Sequence, residues 1–223
     1  MSTFRICNVQ GDGNCYYRCL YQIAKKDSEV KDALYIEHID NEEEAIKEIR
    51  DYVAISLKYE KRSQSILKNL IEIYKSVPDI SQNYPILKKI NIKSSFEEIR
   101  DEVMKLIEDT NIYASSFEHE IISDRLSECS SDAFVDIKLI ILTKNFDEKN
   151  EDIADKWLRQ LQPILNTVSN KRIAILINED NIHYKYMKFL NQIIISKTDL
   201  QNHIEQLLEE SSEYESDSDD DIR

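Results

Sequence analysis

Helical hydrophobic periodicity dominates the first 130 residues of the chain, and strand-like patterns dominate roughly the next 60. Up to Ser130-Ser131, apolar side chains recur at spacings of three and four; beyond it they run consecutively. Cys15 to Ala24 predicts a helix with Leu20, Ile23 and Ala24 inward. Residues 42–59 place Ala45, Ile46, Ile49, Val53 and Leu57 on one face behind an acidic first turn. Residues 62–77 repeat the pattern with Ile66, Leu67, Leu70, Ile71 and Tyr74, and Pro78 ends it. A Pro-containing connector, 78–94, is expected on the surface. Ser94 or Ser95 can cap a helix over 95–109, and 116–127 predicts another with Phe117, Ile121 and Leu126 inward.

The later runs read differently. Phe134–Leu142 and Arg172–Ile177 end in or consist of unbroken apolar stretches, the mark of strands buried on both faces. Asn178–Asn181 is a turn signal, and Ile182–Met187 alternates, so 172–187 predicts a hairpin. Residues 4–9 can be extended, 151–165 suggest a short helix around Trp157, and Leu200, Ile204, Leu207 and Leu208 mark a last short helix. Helices first and strands later predict an α+β protein, a small central sheet with helices packed around it and a helical N-terminal half.

Charge divides the chain in two. The net charge is −14, and residues 209–223 hold eight acids against one base, a net −7 that leaves −7 for residues 1–208. The expected organisation is one domain over 1–208 and a disordered acidic tail over 209–223. An acidic body disfavours nucleic-acid binding through phosphate neutralisation and suits a basic protein partner. No apolar run reaches the roughly 18–20 residues of a membrane helix, and the N-terminus has no secretory apolar segment. Membrane association is not expected, and the four cysteines are read as reduced thiols in the cytoplasm. The paired Cys and His spacings of a zinc site are not both present, so no metal and no cofactor is expected. A monomer is the expected state.

Only two glycines occur in 223 residues, and both flank Asp12 in Gln10-Gly11-Asp12-Gly13-Asn14-Cys15. That turn delivers Cys15 to the first turn of a predicted helix, where the positive dipole end should lower a thiol pKa. Glycines let the backbone of Gly11, Gly13 and Asn14 bend so that successive N–H groups converge on a developing oxyanion. A nucleophilic thiol needs a histidine base. Of four histidines, His183 leads on position; His38 and His119 sit among acids and read as solvated, and His203 lies in the terminal helix. A lone cysteine is more often a core residue than a nucleophile.

Asp12-Gly13-Asn14-Cys15-Tyr16-Tyr17-Arg18 resembles the signature of the OTU (ovarian tumour domain) cysteine proteases. The apolar strand Ile173–Ile177 followed by His183-Tyr184 is similar to the family's C-terminal His motif, and Tyr113–Glu118 stands where the family has a Trp-Gly-Gly-like stretch and a Glu. The resemblance covers about residues 4–190. It implies a papain-like OTU fold and a deubiquitinase acting on ubiquitin or polyubiquitin chains, with ubiquitin-like modifiers as further substrates. Cys15 would be the nucleophile, His183 the general base, and Asp12 the shaper of the oxyanion loop. Tyr184 would pack against the channel for the ubiquitin tail. The family's orienting position, two residues after the histidine, is here Lys185, which cannot accept a hydrogen bond. Asn181 is the preferred substitute, with Asp180 and Asn8 as alternatives. A catalytically inactive OTU-like module that binds ubiquitin or another basic partner is the competing expectation. The AT-rich style of the composition would suit a large DNA virus or an intracellular bacterium, acting in the host cytoplasm.

Overall fold

The apolar run around Leu176 becomes the middle of the fold. In the computed structural model, which describes residues 4–77, 85–127, 129–130, 133–144, 150–179 and 183–216, this run is β5 (Arg172–Glu179). Its even and odd side chains go to opposite sides: Ala174 and Leu176 join one apolar cluster, Ile173, Ile175 and Ile177 another. A strand buried on both faces must have a layer on each, and it does. On one side pack α1 (Cys15–Ala24), α3 (Glu42–Tyr59), α4 (Lys61–Ser76), α5 (Phe96–Glu108) and α6 (Ser116–Ser127). On the other, α7 (Asn150–Thr167) brings Trp157, Leu161 and Leu165, and α8 (Lys197–Ser216) brings Leu200 and Ile204.

The sheet runs β1-β6-β5-β4. β4 (Ile137–Lys144) lies parallel to β5, with Ile137 opposite Arg172 and Lys144 opposite Glu179. A parallel pair needs a crossover, and the segment around Trp157 supplies it as α7. The expected hairpin is present: β6 (His183–Phe189) runs antiparallel to β5, with Glu179 opposite His183. β1 (Phe4–Cys7) pairs with the outer edge of β6 from Phe4–Phe189 to Cys7–Tyr186, and β7 (Ile194–Ser196) pairs with the start of β5. The chain is therefore α+β, a mixed sheet between two helical layers.

Helix boundaries follow local chemistry. α5 begins with a full capping box in which Glu98 N–H donates to Ser95 and Ser95 N–H donates to Glu98. α3 starts at Asn41, whose side chain accepts from Glu44 N–H. Three features differ from the sequence expectation. α2 (Ser28–Ala33), capped by Asp27, is too short to show a period. The strand expected from Phe134 is interrupted: Asp136 is left-handed (φ 43°), separating β4 from a two-residue pairing of β2 (Cys129–Ser130) with β3 (Ala133–Phe134). The last helix continues past residue 208 to Ser216, so the acidic segment begins as helix; 217–223 lie outside the described residues. The connector contains a 3-10 turn, Pro85–Lys89, that buries Ile86. Among the described residues no helix is long and apolar enough to cross a membrane.

Leu176 is fully buried at the centre of the sheet. Leu176→Ala should lower unfolding free energy by about 2–5 kcal/mol, read from urea titration as a shift in midpoint with unchanged slope.

Candidate active site

The loop before α1 is held from within. Asp12 N–H donates to Gln10 O, Asn14 N–H to the Asp12 carboxylate (2.9 Å), and Cys15 N–H to Asp12 O. Arg18, one turn into α1, reaches back to Asp12 (2.8 Å) and also to Glu42 (2.6 Å) and Glu43 (2.7 Å) at the first turn of α3. Burial pushes the Asp12 carboxyl up, but the bonds from Arg18 and Asn14 outweigh it and hold it below the usual range. Asp12 is thus a structural anchor of the loop.

Beneath the loop lies Arg50, 1% exposed, on the inner face of α3. Its Nε donates to Asn14 Oδ1 (3.0 Å) and its Nη2 to Gly13 O (2.8 Å) and Ile112 O (2.9 Å). Nη1 donates to Ile107 O (2.6 Å) and Asp109 O (3.2 Å), and the guanidinium stacks on Tyr17, 4.2 Å from the ring centroid. Ile107 lies in the last turn of α5 and Asp109 caps it, so these are carbonyls at the negative end of a helix dipole. Sequence reading passed over Arg50, because one charge within an amphipathic helix looks like its solvated face.

Gly13 is required by space. A Cβ there would stand 2.9 Å from the Asn111 carbonyl carbon and closer still to Thr110 O. Neither glycine has a positive φ, so the expected glycine bend is not what selects them. Of the expected fan of amides, that of Asn14 is donated within the loop, as are those of Asp12 and Cys15 beside it. Asn14 has its side-chain oxygen on Arg50.

The structure brings Cys15 and the start of β6 together. β1 stops pairing with β6 at Cys7–Tyr186, and two residues on, Tyr184 N–H donates to Cys15 Sγ (3.3 Å). The neighbouring His183 lies over Gly11, where a Cβ would be 3.5 Å from its Cε1 and Nδ1. Cys15 is 1% exposed. Burial pushes its thiol up, and the Tyr184 and Tyr16 amides only partly oppose this; the Asp12 charge adds to the rise. The helix end therefore does not lower the thiol, contrary to expectation, because desolvation outweighs it. Burial and then Lys185 push His183 down, against Glu179 and Asp12. Both shifts favour the neutral thiol and the neutral imidazole at rest.

Other expectations change. Tyr184 is 2% exposed, its ring packed on Tyr16 and His119 and its hydroxyl accepting from Asn178 Nδ2 (3.0 Å), so it is a core residue and its side chain is no channel wall. His119 is buried between Tyr16 and Tyr184, and burial pushes it down to about 3. Glu118 is buried as well; it accepts from Ser115 N–H (2.7 Å) and Oγ (2.5 Å), closing the start of α6. Asn181 and Asp180 lie outside the described residues, and Asn8 is exposed. His183 Nδ1 is buried with no hydrogen-bond partner among the described residues. Glu179, part of the turn signal in sequence, instead ends β5 opposite His183 and holds Lys185 (2.7 Å) and Lys144 (3.6 Å). Among the described residues no group of three His, Cys, Asp or Glu side chains could hold a metal.

No protein-family model matches the chain, and searches of curated proteins and of solved structures give no match either.

Two predictions follow from burial here. Gly13→Ala should displace the 110–111 backbone and with it the acceptors of Arg50, lowering the thermal midpoint, whereas Gly11→Ala, meeting only ordinary contacts, should leave it unchanged. Folded His119 stays neutral down to about pH 3, while the unfolded chain protonates it near 6.5. Below that value the unfolded state binds the extra proton, so stability falls with pH by about 1.4 kcal/mol per unit from this group. Urea midpoints between pH 6 and 4 should fall less steeply in His119→Phe than in the wild type.

Proposed function

We propose that the chain is a cysteine deubiquitinase with a papain-like OTU fold. The observation that carries the reading is the hydrogen bond from Tyr184 N–H to Cys15 Sγ, which sets the His183-Tyr184 pair of β6 against the Asp12–Arg18 motif at the start of α1. The motif resembles the OTU signature, and the order of Cys and His along the chain agrees with it.

In this reading the resting pair is neutral. As Cys15 Sγ attacks the carbonyl carbon at the ubiquitin C-terminal glycine, His183 takes the thiol proton. Collapse of the tetrahedral intermediate expels the lysine amine, which receives that proton, and leaves a thioester. Water, deprotonated by His183, then releases the carboxylate and restores the thiol. Amides of the Gly11–Cys15 loop would turn toward the oxyanion as substrate binds. The compartment this implies is the cytoplasm, and the acidic body suits the Arg-containing ubiquitin tail.

A second reading, an inactive OTU-like binding module, draws on a specific feature. His183 Nδ1 has no described partner, and Lys185 with its ion pair to Glu179 occupies the region where an orienting acceptor is needed.

A ubiquitin probe carrying a thiol-reactive C-terminal group decides between them. Deubiquitinase activity predicts a single adduct on Cys15, none in Cys15→Ala, and labelling about 10²–10⁴-fold slower in His183→Ala. Tight binding without labelling would instead favour the module. Free of ubiquitin, Cys15 alkylation by iodoacetamide should keep rising with pH above the ordinary thiol range, because the thiol is pushed up.

A further inference from the structure

α3 carries two apolar stripes. Ala45, Ile46, Ile49, Val53 and Leu57 face the core. On the far side from Arg50, Tyr52, Ile55 and Tyr59 follow at spacings of three and four, so they share a second, outward face. Ile55 is 50% exposed and Tyr59 71%. Large apolar groups aligned on a solvent face are not needed by the helix, whose core stripe is already complete.

The stripe has a built neighbour. α2 ends with Ile36 N–H donating to Lys31 O, which puts Tyr35 in the left-handed position (φ 59°) that usually belongs to glycine. Tyr35 is 55% exposed, yet its ring is held: it stacks on Tyr52 (5.3 Å between centroids), Arg125 lies over it (5.2 Å), and Arg125 Nη2 donates to its hydroxyl (3.2 Å). A backbone conformation that bulky residues disfavour thus presents a fixed aromatic ring to solvent.

These four side chains line one open groove of about 260 Å³. Its other charged walls, among the described residues, are Glu48, Asp51 and Glu60; Lys58 sits over Tyr59 at the rim. Glu48 and Asp51 have no ion-pair partner among the described residues. A second copy would bring carboxylates against carboxylates, in a chain of net charge −14.

We propose that this outward face of α3, with Tyr35, docks a protein partner that offers an apolar centre ringed by lysine and arginine. Apolar burial in the groove supplies affinity, and the carboxylates select against acidic partners. The face lies opposite the Arg50 side of α3, so docking is independent of Cys15 and of the reading given above.

The test uses the full chain and a short fluorescent amphipathic helix with a leucine face flanked by lysines, beside the same peptide with glutamates. Fluorescence anisotropy should show the lysine peptide binding at least tenfold tighter. The double variant Ile55→Ser with Tyr59→Ser, which keeps every charge, should weaken it about tenfold or more. Tyr59→Ser alone, at a largely exposed position, should give a smaller loss in the same direction if the double variant does not fold. Equal binding of the two peptides would overturn the proposal, as would unchanged binding by the variants, which would assign the effect to the acidic C-terminal segment. Self-association of the wild type in sedimentation velocity, lost in the double variant, would also overturn it in favour of a second copy.

Discussion

A buried guanidinium that faces only uncharged acceptors holds the Cys15 region in place. Arg50 donates to five oxygens: four backbone carbonyls and the Asn14 side chain. An arginine out of water is tolerable when all its donors are used. Here the acceptors belong to two chain segments distant in sequence: the Gly13-Asn14 loop and residues 107–112, which run from the last turn of α5 into the connection beyond it. The planar fork spans them at once, which a lysine could not do. Stacking on Tyr17 then couples that junction to α1.

Around that junction the other polar groups are arranged in series. Arg18 ties the same loop to the first turn of α3 through two glutamates, so α3 grips the loop at its start through charge and at its middle through Arg50. Gly13 packs directly against the backbone of Thr110 and Asn111. Substitution there changes the spacing on which Arg50 depends, so a small steric change has an electrostatic result.

How much was legible in the sequence depends on range. α1 and α3 follow from hydrophobic period with their ends in place, and the two-faced burial of β5 follows from the run Ile173–Ile177. The parallel pairing of β4 with β5 was not legible, because nothing in an apolar run encodes direction. In the site, the Asp12–Arg18 motif and His183 stood out as local patterns, and the fold brings them side by side. Arg50, Glu118 and His119 did not stand out, since burial of a charged residue is decided by the far side of the fold. For the same reason the thiol shift came out reversed: a helix end is local, whereas desolvation depends on what covers it.

The bond from Tyr184 to Cys15 joins residues 169 positions apart. Its consequence concerns synthesis. The thiol leaves the ribosome 169 residues before the tyrosine whose amide meets it. Until β6 has been made, Cys15 has no partner from it and none of the burial that it supplies. A chain broken off before residue 183 lacks β6 and cannot assemble the pair. The arrangement makes the completed site a late product of folding, closed only when β6 has reached the start of α1.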